Sequence, residues 1–325
     1  MGDLSPEASF LSRNNQSANR NISRHDYVGV WLGHKPEGNS RHSKSDTQTE
    51  YGGASHFHTL RGLQTMRDSL IQECLATIPP DYEYGRLSEL FYAKVDPLFP
   101  ILHGEQLGQL DRMEELALKQ CICLVASLDP SSRKNLRLPH TEQVLSQIEF
   151  RHRLAAAVKY SLDMGYIGDK VVALQVCALM AFYVDKPGCS ELSSYYCAQV
   201  VHHSQTLGLH LGWPKDSVGV EKAQRVFWCV WILDRLNAAS NGRPILYHER
   251  DMDQTILLSA SSQAPVFRLL IRITQFLDET ISLYRPHADI PDAAGRSSTT
   301  FEDMVESAGA LDVGSALLGK LAPKM

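Results

Sequence analysis

The sequence has no excess of basic residues. It holds 32 Lys and Arg against 37 Asp and Glu in 325 residues, a formal net charge of -5. A domain that grips nucleic acid by its phosphates carries a clear positive surplus, so DNA binding by this chain unaided is not expected. No apolar run is long enough for a bilayer helix, which needs about 18 residues. The best candidates, "VVALQVCALMAFYV" (171–184) and "VFWCVWIL" (226–233), are shorter and read as central helices of a core. The opening "MGDLSPEASFLSRNNQ" has no apolar h-region, so a secretory signal is not expected. The Asn-x-Ser triplets at Asn15 and Asn21 then carry no meaning for glycosylation.

Cysteine is absent from residues 1–73, and the seven that follow are Cys74, Cys121, Cys123, Cys177, Cys189, Cys197 and Cys229. The count is odd and most lie in apolar stretches. They read as free thiols packed as small hydrophobes in a reducing compartment. Catalytic signatures are missing too: no Gly-rich phosphate loop, no Gly-x-Ser-x-Gly, no His-Glu-x-x-His and no aspartate-rich metal motif. Cys121 and Cys123 stand two apart on an apolar stretch, so in a helix they point about 200° apart and cannot easily share a metal. No catalytic, metal-binding or cofactor-binding residue is assigned.

What is present is helical periodicity. Hydrophobic residues make up 43% and charged residues 21%, the balance of a globular protein. Residues 1–58 are rich in Ser, Asn, Arg, His and Gly and read as a disordered leader, in which Val30 and Trp31 are an isolated apolar spot. From residue 59, Leu60, Leu63, Met66, Leu70, Cys74 and Ile78 mark one face of a helix. "PPDYEYG" reads as a break, and Leu87, Leu90, Phe91 and Val95 as a second stripe that Pro97 ends. A short helix is expected over "GEQLGQLDRM" and a buried one over "EELALKQCICLVASL". A long helix is expected from Thr141, as N-cap, to about Met164. Apolar residues 170–184 and "SSYYCAQVVHHSQTLGL" follow, with Gly208 and Gly212 as stop signals. "VEKAQRVFWCVWILDRLNAAS" ends where Asn241-Gly242 fits a left-handed cap with Pro244 beyond it. "APVFRLLIRITQFLDETISLYRP" gives one more amphipathic helix, and "FEDMVESAGALDVGSALLGKL" a weak one. His202 and His203 with Tyr195 and Tyr196 read as a half-buried helix face, and His56, His58 and His140 as solvated loop residues. No strand alternation is found. The class is all-α, a large irregular helical bundle or array over 59–286 after the leader, with a weakly ordered tail over 287–325.

Several stretches, in order, resemble one family. "YGGASHFHTL" (51–60), "LSELFYAKVDPLFPILHGEQL" (87–107), "VVALQVCALMAFYV", "CAQVVHHSQTLGLHLGWP" and "KAQRVFWCVWILDRLNAASNGRPILYHERDMD" carry the likeness. Together the region from about 85 to 256 resembles the fungal-specific transcription factor domain, or middle homology region, of binuclear zinc-cluster regulators. The last stretch is most similar to the cutinase- and xylanase-regulator branch. The resemblance implies a nuclear regulator of RNA polymerase II transcription, with genes of substrate use or secondary metabolism as targets. It implies a homo- or heterodimer, a possible small-molecule effector, and no membrane. The family's zinc cluster takes six cysteines in a duplicated Cys-x-x-Cys-x6-Cys pattern beside a major-groove helix. With no cysteine in 1–73, no DNA-contacting residue and no zinc are expected within this chain. DNA is then reached through an upstream module or a partner protein. A co-regulator without its own DNA reader is the alternative function, and a helical enzyme the remote one.

The run "DRLNAASNGRPILYHERDMD" (234–253) puts two charges directly after an apolar helix. An unpaired buried Asp234 is costly. The turn at Gly242 is expected to fold Arg243 back, so that an Asp234–Arg243 pair locks a corner made of Asp234, Arg235, Gly242, Arg243 and Pro244. In the functional alternative this corner borders an effector cavity lined by Trp228, Trp231, Tyr247 and His248.

Overall fold

A computed structural model describes residues 53–102, 107–139, 141, 143–183, 191–211, 219–283 and 300–310. Residues Phe57–Met325 make one unit, distinct from Met1–His56. Ten α-helices are described: α1 (Gly53–Ala76), α2 (Asp81–Lys94), α3 (Arg112–Ala126), α4 (Gln147–Asp163), α5 (Lys170–Met180), α6 (Glu191–Thr206), α7 (Val220–Asn241), α8 (Gln254–Leu258), α9 (Pro265–Leu283) and α10 (Phe301–Ser307). No strand occurs among the described residues, and the all-α expectation holds. None of their helices is long and apolar enough to cross a membrane.

Short polar side chains start five of these helices. Asp111 accepts from the Met113 amide, Ser146 from Glu149, Asp169 from Val171 and Val172, and Asp253 from Thr255. Each satisfies an amide that the helix itself leaves without a partner. Thr300 and Asp303 form a reciprocal capping box on α10.

Three helices that are apolar nearly all round form the centre, as full burial requires. In α3, residues Leu116 to Leu118 and Gln120 to Ala126 are buried; in α5 every residue from Val172 to Met180 is; in α7 the run Val226 to Arg235 is. α3 packs against α2, α4 and α5; α5 packs on α6, α6 on α7, and α7 on α9. Buried polar side chains tie loops to this centre. Gln120 donates to the carbonyls of Cys74 and Thr77 at 3.0 and 2.8 Å, closing the end of α1. Gln175 holds the Ile101 carbonyl at 2.9 Å. Glu114 on α3 accepts from the amides of Gly168 and Asp169 at 3.0 and 2.9 Å, at the threshold of α5.

Several boundaries differ from those read in the sequence. α2 starts at Asp81 and runs through Gly85. Asp81 and Glu83 in its first turn complement the helix dipole. The long helix starts at Gln147, not after Thr141. The Thr141 hydroxyl turns back to the Leu138 carbonyl at 2.6 Å, a local bond that competes with helix capping. "GEQLGQLDRM" gives a single 3-10 turn, Leu107–Gln109, before α3. His56 and His58 fall within α1 rather than in a loop. α8 was not anticipated, although Asp253 before Thr255 is its capping signal. His140, Cys189, Gly212, Val30 and Trp31 lie outside the described residues, as do most of the leader and the tail.

Candidate functional site

The corner at the end of α7 begins with its C-cap. Gly242 has φ 61° and ψ 30°, the left-handed conformation glycine adopts without a Cβ penalty, and its amide donates to the Ala238 carbonyl. Pro244 follows and cannot continue a helix. The chain therefore reverses and lays Ile245, Leu246 and Tyr247 along the last turns of α7.

That return brings two main-chain amides onto Asp234. Its carboxylate accepts from the Leu246 amide at 3.0 and 3.1 Å and from the Tyr247 amide at 3.0 Å. The same carboxylate takes Arg235 Nη1 at 3.0 Å. The Arg235 guanidinium also donates through Nη2 to the Tyr247 carbonyl at 2.6 Å and through Nε to Asp278 on α9 at 3.1 Å. Its face lies 4.4 Å from the Trp231 ring centroid, a cation–π contact. Asp234 is 1% exposed and Arg235 0%. Burial raises the Asp234 pKa, countered by the Tyr247 amide, Arg235 and the Leu246 amide. Burial likewise lowers that of Arg235, countered by Asp278 and Asp234. One buried cation thus joins α7, the return loop and α9.

Arg243 has no part in it. The expected Asp234–Arg243 pair is not formed: Arg243 is exposed, and the neighbouring Arg235 is the partner. The turn carries Arg243 outward while it delivers the amides of Leu246 and Tyr247 inward. Arg243→Ala should therefore change stability by less than about 0.5 kcal/mol in a urea melt, as surface substitutions do. A larger loss would place Arg243 in the lock.

Trp228, Trp231 and Tyr247 are buried, and Phe227 joins them in one aromatic cluster. Trp228 and Trp231 meet edge to face at 5.4 Å, Phe227 meets Trp228 at 5.7 Å and Tyr247 at 5.6 Å. Trp228 Nε1 donates to Ser259 Oγ at 3.1 Å, and Tyr247 Oη to Ser204 Oγ at 3.0 Å. His248 is half-buried beyond them. A cavity of about 480 Å³ does exist, but none of these four lines it; Leu90, Val125, Ile232 and Leu270 are among its walls. On α6, Tyr196 is buried, Tyr195 and His202 are exposed and His203 is half-buried, as a helix face seen edge-on would be.

The site contains residues that pattern reading missed. Asp278 continues the buried stripe Phe267, Ile271, Thr274 of α9 at the next helical position, and a carboxylate on an apolar stripe was the available signal. Ser194, Asn237 and Asn241 form a second buried network: Ser194 Oγ donates to Asn237 Oδ1 at 2.6 Å, and Asn241 Nδ2 contacts both at 3.1 and 2.8 Å. It binds α6 to the end of α7. Asp234 is spent on a cation and two amides and Asp278 pairs with the same cation, so the chemistry of the corner is that of a clamp.

Among the described residues no group of three His, Cys, Asp or Glu side chains is arranged to hold a metal ion. The six described cysteines are free and buried. Burial pushes the Cys177 and Cys197 thiols up to about 12 and raises those of Cys121, Cys123 and Cys229 well above the ordinary thiol value, which removes thiolate character.

Known proteins resemble this chain as follows. A family model described as the fungal specific transcription factor domain matches residues 89–265, more than half of the chain. An uncharacterized transcriptional regulatory protein of Schizosaccharomyces pombe is 26% identical over 186 residues, 52% of this chain and 23% of that protein. The transcriptional activator protein acu-15 of Neurospora crassa is 24% identical over 215 residues, 63% of this chain and 22% of that protein. The chain thus spans less than a quarter of the length of the curated relatives it matches. No solved structure matches it.

Proposed function

The chain belongs to the fungal specific transcription factor domain family, and on that premise we propose that it is the regulatory domain of a transcription regulator. The observation that carries this is the extent of the match, residues 89–265, which holds α3 to α8 and both charges of the Asp234–Arg235 pair. The two relatives are named for transcriptional regulation and activation. In this reading residues 59–286 are the regulatory domain, and the protein works in the nucleus as a homo- or heterodimer. DNA is reached through a zinc-cluster module that belongs either to a longer protein containing this chain or to a partner. A net charge of -5 fits a domain that controls a DNA reader better than one that is a DNA reader. Genes of substrate use or secondary metabolism are the proposed targets. Catalysis has no part in it.

The test is to fuse the full chain to a heterologous DNA-binding module in yeast and read a reporter gene. Output should differ severalfold from that of the module alone, upward for an activator and downward for a repressor. Equal output would overturn the regulatory reading. A fluorescent fusion confined to the cytoplasm under every growth condition would overturn the nuclear one.

A further inference from the structure

The cavity of about 480 Å³ lies between two halves of the fold. Leu90 and Lys94 of α2, with Val95 and Phe99 just after it, face Val125 of α3 on one side. Ile232 and Leu236 of α7 and Leu270 of α9 close the other. Protein interiors leave few voids larger than one water, and small-molecule sites span roughly 300–1,000 Å³. Here a space of that size opens between these helices, and its wall is almost wholly aliphatic and aromatic. Leu98, Leu128 and Leu236 at its edge are 43%, 44% and 39% exposed. They leave apolar surface in water that an occupant would cover.

One polar point interrupts this wall. Lys94 Nζ lies 2.5 Å from Asp129 Oδ2, both side chains about three-quarters buried. Asp129 is used up: its Oδ1 takes the Ser131 amide at 2.8 Å and the Ser131 hydroxyl at 2.6 Å. Lys94 is not, since an ammonium has three N–H donors and one goes to Asp129. The unspent hydrogen-bonding capacity at the rim is therefore that of a cationic donor. Its natural complement is an anionic acceptor on an apolar body.

We propose that this cavity binds a small apolar carboxylic acid, with its tail against Phe99, Val125, Ile232 and Leu270 and its carboxylate on Lys94. The bound acid would bridge α2 and α3 to α7 and α9, one residue along the chain from Arg235. Occupancy would then stiffen the corner from its far side.

Calorimetric titration of the full chain with octanoate, decanoate, dodecanoate and decanol tests this. At least one acid should bind saturably with one-to-one stoichiometry, and decanoate at least tenfold more tightly than decanol. Lys94→Met should remove that tenfold preference and leave decanol binding unchanged. Leu236→Trp, at the partly exposed mouth, should fill the space and abolish both. No saturable binding of any acid would overturn the proposal. So would equal affinity for decanoate and decanol, or a folded Leu236→Trp protein that still binds. If Leu236→Trp does not fold, the loss of acid preference in Lys94→Met decides alone. Binding is read on the protein itself, so a silent reporter leaves it standing.

Discussion

Arg235→Met should lower the stability of the domain by about 3–5 kcal/mol, the effect of removing one partner from a buried ion pair. The side chain is 0% exposed and, among the described residues, its guanidinium is the only cation bonded to Asp234 and Asp278. Methionine keeps the apolar stem and leaves Asp234 ionised in a site with no counter-charge. Burial already raises the Asp234 pKa with Arg235 present; without it that pKa rises further. The sign follows. A carboxyl whose pKa is higher folded than unfolded favours the folded state when protonated and opposes it once pH climbs past the unfolded value. The variant's deficit should therefore be smallest at acid pH and widen towards neutrality. Urea denaturation of both proteins across pH 4 to 8 (roughly the window around a carboxyl's ordinary and raised values) measures it. A loss under about 1 kcal/mol at neutral pH would show that the pair does not hold this corner. Apolar replacement of the whole triad is not expected to restore stability, as it does for some buried ion pairs. The Leu246 and Tyr247 amides would lose the carboxylate they both donate to.

Trp228→Ala should cost a similar amount, about 3–5 kcal/mol, for a different reason. Trp228 is 0% exposed and sits between Phe227 and Trp231, edge to face with both. Removing the indole opens a cavity that those fixed rings cannot close. Trp228→Phe separates volume from hydrogen bonding. It keeps most of the ring and loses only the bond to Ser259, whose hydroxyl still donates to the Ile256 carbonyl. That variant should lose about 1 kcal/mol. Equal losses for Ala and Phe would mean that the bond, not the packing, anchors α8 to α7.

These two residues show how far sequence reading reaches. The apolar run before Asp234 gave away its burial, and Asn241-Gly242-Arg243-Pro244 gave away the reversal that follows. Burial of a charge in turn demanded a partner. The identity of the partner was not legible. Adjacent residues on a helix do not ordinarily face each other, which directed attention to Arg243. The bond forms because the Arg235 guanidinium is drawn round by the Tyr247 carbonyl and by Asp278, 43 residues away. Periodicity tells which face of a helix is apolar but not which helix will cover it. The cavity was hidden for the same reason. Leu90, Val125, Ile232 and Leu270 each read as ordinary core positions, and only the packing of four helices shows that they stop short of one another. Thr141 marks the opposite limit. Its residue type suits a cap, yet a local bond to Leu138 outcompetes the helix.

The family match stops at residue 265, where α9 begins. Asp278 and Leu270, the second carboxylate of the clamp and one wall of the cavity, stand beyond it. The clamp therefore draws one carboxylate from inside the matched segment and the other from outside it. A fragment cut at the edge of the match would keep Arg235 and Asp234 but lose Asp278, and would uncover a guanidinium that the whole unit keeps from water.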